Sequence, residues 1–148
     1  MGGAEACVDP LSLASFNALK ALSTESEQPT KASRPFDQAR NGFVIGEGSG
    51  LMVIETLEHA QARGATPLAI LSGYGTSADA YHITAGREDG QGAAAAVKKA
   101  LKMAGLHPSD INYINAHATS TPVGDAAEVA SLRGVFGKDL PNIPISST

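Results

Sequence analysis

His117, Thr119 and Thr121 follow a strand-like run, Ile111-Asn112-Tyr113-Ile114, and precede a glycine turn at Gly124-Asp125. An imidazole at a strand end is often only structural, but its neighbours here add chemistry. In extended backbone, residues two apart face the same side, so Thr119 and Thr121 can direct two hydroxyls together. Such a pair could hold a polar chain beside the His117 ring.

Other residues invite chemistry and offer less. Ser120, His117 and Asp125 have the residue types of a hydrolase triad, but the chain has no G-x-S-x-G nucleophile elbow. The run Gly46-Glu47-Gly48-Ser49-Gly50 lacks the Lys-Ser/Thr of a phosphate loop, and Glu47 would repel an anion. Its glycines are better suited to bending the backbone within a sheet. Cys7 lies among small residues ahead of a helix with no histidine near it in sequence, as a small buried thiol would. His59, His82, His107 and His117 are scattered without metal-ligand spacing, so no metal site is expected.

The elements that must position His117 read as alternating helices and strands. Pro10 suits a first turn, and Leu11, Ala14, Ala18 and Leu22 can share one face, predicting a helix over 10–22. A polar surface loop over 23–33 follows. Residues 42–45 and 51–54 read as two strands bent apart by the glycine run, then a short helix over 58–63. Gly64-Ala65-Thr66-Pro67 breaks the pattern, and 68–71 opens another strand. Ala94, Val97, Leu101 and Ala104 predict a helix over 92–104, with Gly105 after its last turn and Pro108 preventing continuation. A buried strand over 111–116, a helix over 126–135 with Asp125 near its positive end, and a strand from Ile143 complete the series. This alternation implies a layered α/β fold around a largely buried mixed sheet.

Composition sets the outer limits. The 148 residues fit a single-domain length, and 43% apolar with 18% charged residues permits a real core. A net charge of −4 without a Lys/Arg run argues against nucleic-acid binding; Lys98, Lys99 and Lys102 read as a solvated helix face. One cysteine excludes an intrachain disulfide and suits a reducing compartment. No long apolar run or basic-then-apolar start suggests a membrane span or secretory signal.

The stretch Asn115-Ala116-His117-Ala118-Thr119-Ser120-Thr121-Pro122-Val123-Gly124-Asp125 resembles the histidine motif of β-ketoacyl-acyl-carrier-protein synthases, in the branch of elongating type II (KAS II-like) enzymes. Gly2-Gly3-Ala4-Glu5-Ala6 resembles the glycine-rich segment after the family's nucleophile, and Ala21-Leu22-Ser23 the close of its next helix. The run from Arg34-Pro35-Phe36-Asp37 through Arg40 to Gly46-Glu47-Gly48 is similar to the family's R-P-F-D-x-x-R-x-G-F-V-x-G-E-G signature. Residues 77–84 and 145–148 resemble further segments in family order. N-A-H-A-T-S-T-P is similar to discrete synthases, whereas modular polyketide enzymes more often read E-A-H-G-T-G-T. Ala118, where bacterial members usually have Gly, resembles mitochondrial-type enzymes.

The resemblance implies a partial thiolase-like fold, layered α-β-α-β-α. Residues 1–65 would end its N-terminal half and 66–148 begin its C-terminal half. It implies decarboxylative Claisen condensation in fatty-acid synthesis, on malonyl and acyl groups carried by acyl carrier protein and without a cofactor. His117 would match one of two enolate-stabilising histidines. Thr119, Thr121 and Thr84 would hold the phosphopantetheine arm, Phe16 would line the acyl pocket, and Lys20 would face the acidic carrier. Intact relatives are homodimers, and the implied location is the mitochondrial matrix or the bacterial cytoplasm. The family's nucleophilic cysteine precedes Gly2-Gly3, and its lysine and second histidine follow Thr148. The expectation is therefore a central fragment that is inactive alone, because residues acting as a unit do not leave proportional activity when some are removed. A different reading makes the chain a noncatalytic, truncated partner that binds a carrier protein or a full-length synthase. In either case, strands lacking neighbours should leave apolar faces that favour association.

Overall fold

The computed structural model describes residues 1–82 and 86–147; Thr84, the third residue expected near the arm, and Thr148 lie outside the described residues. In chain order the elements are β1 (Gly2–Glu5), α1 (Pro10–Ala18), β2 (Gly48–Leu51), α2 (Leu57–Ala62), α3 (Gln91–Ala104), β3 (Ile114–Ala116), α4 (Pro122–Phe136) and β4 (Ile145–Ser147). Short 3-10 turns occur at Pro29–Lys31, Pro108–Asp110 and Gly137–Asn142.

Helices form where local signals are strong. The Asp9 carboxylate accepts hydrogen bonds from the Leu11 and Ser12 amides at 2.8 and 3.0 Å, satisfying donors that the first turn of α1 leaves free. The helix stops at Ala18 rather than Leu22, because Lys20 takes φ +53° and turns the chain. Leu22 then makes an isolated parallel bridge with Phe43. Helix α3 ends as its sequence predicts, with Gly105 at φ +69° and the Leu106 amide reaching back to the Leu101 carbonyl at 3.0 Å. Helix α4 begins four residues before the predicted start, since Pro122 is compatible with a first helical position.

The core sits on α4. Leu132, Phe136 and Ile143 are buried together, and Val97 of α3, Ile111, Ile114 of β3, Val135 and Leu140 pack against them. Beside this core β3 and β4 run parallel, with Ile114 opposite Ile145 and Ala116 opposite Ser147. Helix α4 crosses between them, a β-α-β unit that leaves the loop after β3 at the end of a strand.

The other strands differ from the sequence reading. The glycine run does not bend between two strands: Gly48–Leu51 is itself β2, antiparallel to β1, with Gly2 opposite Leu51 and Glu5 opposite Gly48. All residues of this pair are exposed. Residues 68–71 form no strand, and Leu68 is fully exposed at 102%. A strand is defined by its ladder, and this apolar run has no ladder partner among the described residues. The sheet is accordingly two separate pairs, β1-β2 and β3-β4, instead of one largely buried layer.

Candidate functional site

His117 is the first residue after β3, with an exposed side chain and a tethered backbone. The Glu128 carboxylate, one turn into α4 from Asp125, accepts the His117 amide at 2.8 Å and the Ala118 amide at 2.7 Å. Ser147 of β4 donates to the Ala118 carbonyl at 2.8 Å, and Ala118 itself is buried. Residues 117–118 are therefore fixed by a helix and a strand that both belong to the packed half.

Thr119 and Thr121 bring their hydroxyls together, with 3.1 Å between the two Oγ1 atoms, but through a bend and not by strand alternation, since Ser120 between them is left-handed at φ +68°. Gly124 makes room for them: a Cβ at that position would lie 2.4 Å from the Thr121 Oγ1. The same two threonines line a cleft of about 520 Å³ whose other walls are Phe16, Leu19, Ala21 and Phe43. Phe16 and Phe43 meet edge to face with ring centroids 5.1 Å apart, making one side strongly apolar. The cleft thus combines an aromatic wall from the first half of the chain with paired hydroxyls from the second. His117 precedes Thr119 by two residues and is outside the cleft lining. Lys20 is exposed at the turn between the lining residues Leu19 and Ala21.

The intervening Ser120 is not available for a triad. It is fully buried at φ +68°, and its hydroxyl accepts the Arg34 amide at 3.1 Å. Asp125 is also buried, and its Oδ2 accepts the Phe36 amide at 2.8 Å and lies 3.2 Å from the Arg40 Nε. Cys7 is half-buried with its thiol 3.6 Å from the Gly46 carbonyl, and desolvation, then the charges of Glu5 and Glu47, push its pKa up. That is opposite to the shift that activates a thiol nucleophile. Among the described residues no group of three or more His, Cys, Asp or Glu side chains is placed to hold a metal ion. No described helix is long and apolar enough to cross a membrane.

Sequence reasoning missed Glu128 and the reach of Arg40. A signal for Glu128 did exist: Asp125 and Glu128 are three apart, so both carboxylates lie on one face of the first turns of α4, where amide donors of the preceding loop are within reach. Nothing local marks the reach of Arg40 to Thr121 and Pro122, more than eighty residues away along the chain.

The description Beta-ketoacyl synthase, N-terminal domain, matches residues 1–60, and Beta-ketoacyl synthase, C-terminal domain, matches residues 68–148. The mitochondrial 3-oxoacyl-acyl-carrier-protein synthase of Arabidopsis thaliana is 54% identical over 138 residues, covering 93% of this chain and 30% of that protein. The 3-oxoacyl-acyl-carrier-protein synthase 2 of Staphylococcus aureus is 50% identical over 147 residues, covering 99% of this chain and 36% of that protein. Among solved structures, a type II polyketide ketosynthase in complex with its acyl carrier protein superposes with a TM-score of 0.93 at 44% identity, covering 97% of this chain and 36% of that one. A β-ketoacyl synthase from Burkholderia phymatum superposes with a TM-score of 0.91 at 42% identity, covering 99% and 34%. The layering is that of the thiolase-like ketosynthases. The chain belongs to the beta-ketoacyl synthase family, and it spans about a third of the length of these relatives.

Proposed function

We propose that the chain supplies one wall of the active site of a 3-oxoacyl-acyl-carrier-protein synthase acting in fatty-acid biosynthesis. The observation that carries this reading is the shared cleft, where the aromatic pair Phe16 and Phe43 faces the paired hydroxyls of Thr119 and Thr121. An apolar wall suits an acyl chain, and adjacent hydroxyls suit the amide-bearing phosphopantetheine arm. Lys20, exposed at the rim, is placed to meet an acidic carrier protein, and Thr84 belongs with the arm.

In the reaction an acyl group rests as a thioester on a cysteine, and a malonyl thioester loses carbon dioxide to leave an enolate. The enolate carbon attacks the acyl carbonyl, a carbon–carbon bond forms, and the cysteine thiolate departs. Charge develops on the enolate oxygen. An imidazole N–H of His117 aimed at that oxygen would stabilise it by ~3 kcal/mol, the scale of one preorganised donor. The hold of Glu128 on two consecutive amides keeps that donor in register. Neither a metal nor a cofactor takes part. The nucleophilic cysteine, the lysine and the second histidine have no counterpart in residues 1–148, so this chain alone does not turn over.

Residues 1–65 and 66–148 are assigned to the two thiolase-like halves; the gap between the family matches, 60 to 68, supports that joint. The intact enzyme is assigned as a homodimer of the mitochondrial matrix or bacterial cytoplasm; the name of the Arabidopsis relative supports the mitochondrial alternative. The test is a chimera in which this chain replaces its counterpart in the Staphylococcus aureus relative. Malonyl-dependent condensation is expected, with a loss of about 100-fold or more in His117→Ala. Undiminished condensation in that variant would remove His117 from the chemistry.

A further inference from the structure

The segment 34–42 reaches across from the first half of the chain and fastens the threonine end of the site loop. Its Arg34 and Gly42 amides donate to the Ser120 hydroxyl and carbonyl at 3.1 and 3.0 Å. Its Phe36 amide donates to the Asp125 carboxylate at 2.8 Å. Arg40 does most: Nε donates to the Thr121 carbonyl at 3.2 Å and pairs with Asp125 at 3.2 Å, while Nη2 donates to the Pro122 carbonyl at 2.7 Å. The third nitrogen, Nη1, donates to the Asp37 carbonyl at 2.9 Å and stiffens the segment itself. Gly42, at φ +144°, packs the segment against the backbone of Leu22 and Ser23, where a Cβ has no room. Of these bonds none falls on His117 or Ala118, which Glu128 and Ser147 hold instead.

Two anchor sets therefore divide one loop. Resting on the function proposed above, we infer that Arg40 is a positioning residue for the carrier arm: it places the Thr119–Thr121 hydroxyl pair through the backbone of 121–122, separately from the anchor that places His117. The planar guanidinium suits the task because it meets four oxygen acceptors from a fixed fork, which a lysine ammonium on a flexible stem cannot reproduce.

Two measurements on the chimera test this, each with Arg40→Lys and Glu128→Gln. In kinetics, Arg40→Lys is expected to raise KM for malonyl-carrier protein about tenfold, the scale of one charge-assisted hydrogen bond, with a smaller change in kcat. With a malonyl thioester of a short alkyl thiol, which has no arm to hold, that KM change should disappear. Glu128→Gln should lower kcat with either substrate. An equal loss with both substrates in Arg40→Lys would reduce Arg40 to general support of the fold and overturn the inference. In hydrogen exchange, which needs no turnover, Arg40→Lys should speed exchange at Gly42, Phe36 and Asp125 and leave His117 and Ala118 protected, with the reverse for Glu128→Gln. Both sets opening together in either variant would also overturn the inference, because the anchors would then be one. A chimera that folds but never condenses counts against the proposed synthase, and its exchange pattern still decides whether the anchors are separate.

Discussion

Two regions of this chain carry similar apolar runs and treat them in opposite ways. Around α4, Leu132, Phe136 and Ile143 are 5–8% exposed and are surrounded by residues of α3, β3 and the turn after α4. Across residues 51–71, Leu51 is 82% exposed, Val53 85% and Leu68 102%. Both regions are apolar enough for a core, so burial was decided by partners and not by side-chain character. The region around α4 has a continuous β-α-β unit to fold upon, whereas residues 51–71 offer the end of a two-stranded pair and irregular backbone. An isolated two-stranded pair is marginal in water, which is why apolarity in β2 does not become burial.

Breaking the packed side should have the largest effect. Phe136→Ala removes an aromatic ring from the buried cluster and is expected to destabilise the α3–α4 unit by about 3–5 kcal/mol, while Val53→Ala should change stability by less than about 0.5 kcal/mol. Denaturant unfolding followed by helix circular dichroism compares the two; equal effects would end the contrast between the regions.

The open side should show itself in association. A chain presenting Leu51, Val53, Leu68 and Ile70 to water is expected to self-associate at micromolar concentration, and a Val53→Lys, Leu68→Ser, Ile70→Ser variant should shift it toward monomer. Sedimentation measures both; a monomeric parent with a cooperative melt would show that these faces do not drive association.

The smallest effect is electrostatic and confined to the open side. The bonds from Arg63, then from His59, lower the Glu55 pKa from 4.5 to about 2. A carboxylate depressed in the folded state contributes stability above its unfolded pKa and loses it as pH falls through the folded one. Helix α2 should therefore loosen between pH 4.5 and about 2, and Glu55→Gln should abolish that pH dependence while leaving the α3–α4 unit unaffected. Amide exchange at His59 and Ala60 reports it. A dependence that persists in Glu55→Gln would assign it to another group.

How much was legible follows the same division. Helix α3 was readable to within a residue because its stripe, its closing Gly105 and the Pro108 stop are all local. The Thr119–Thr121 pair was readable because the two residues are near neighbours, although the left-handed Ser120 between them, and not extended backbone, brings the hydroxyls together. The start of α4 reads late because Gly124-Asp125 has the residue types of a turn, whereas Pro122 already stands in the first turn of the helix. The pairing of β1 with β2 was missed, since a glycine-rich strand has no side-chain alternation to reveal it. For Glu128 the only signal is its spacing from Asp125, and for Arg40 there is none that is local, because the backbone atoms that each holds carry no sequence signature.

The sequence by itself determined the family, through an ordered set of motifs, and the residue types of the site, because His117, Thr119 and Thr121 are neighbours on one short loop. Only the tertiary structure decided that Phe16 and Phe43 complete a cleft with those threonines, that Ser120 and Asp125 are buried anchors and not a triad, and that two separate sets of bonds hold the two ends of the loop. The reason is distance along the chain. Periodicity and spacing report what neighbouring residues do, whereas a carboxylate that binds an amide 89 residues away is chosen by packing alone.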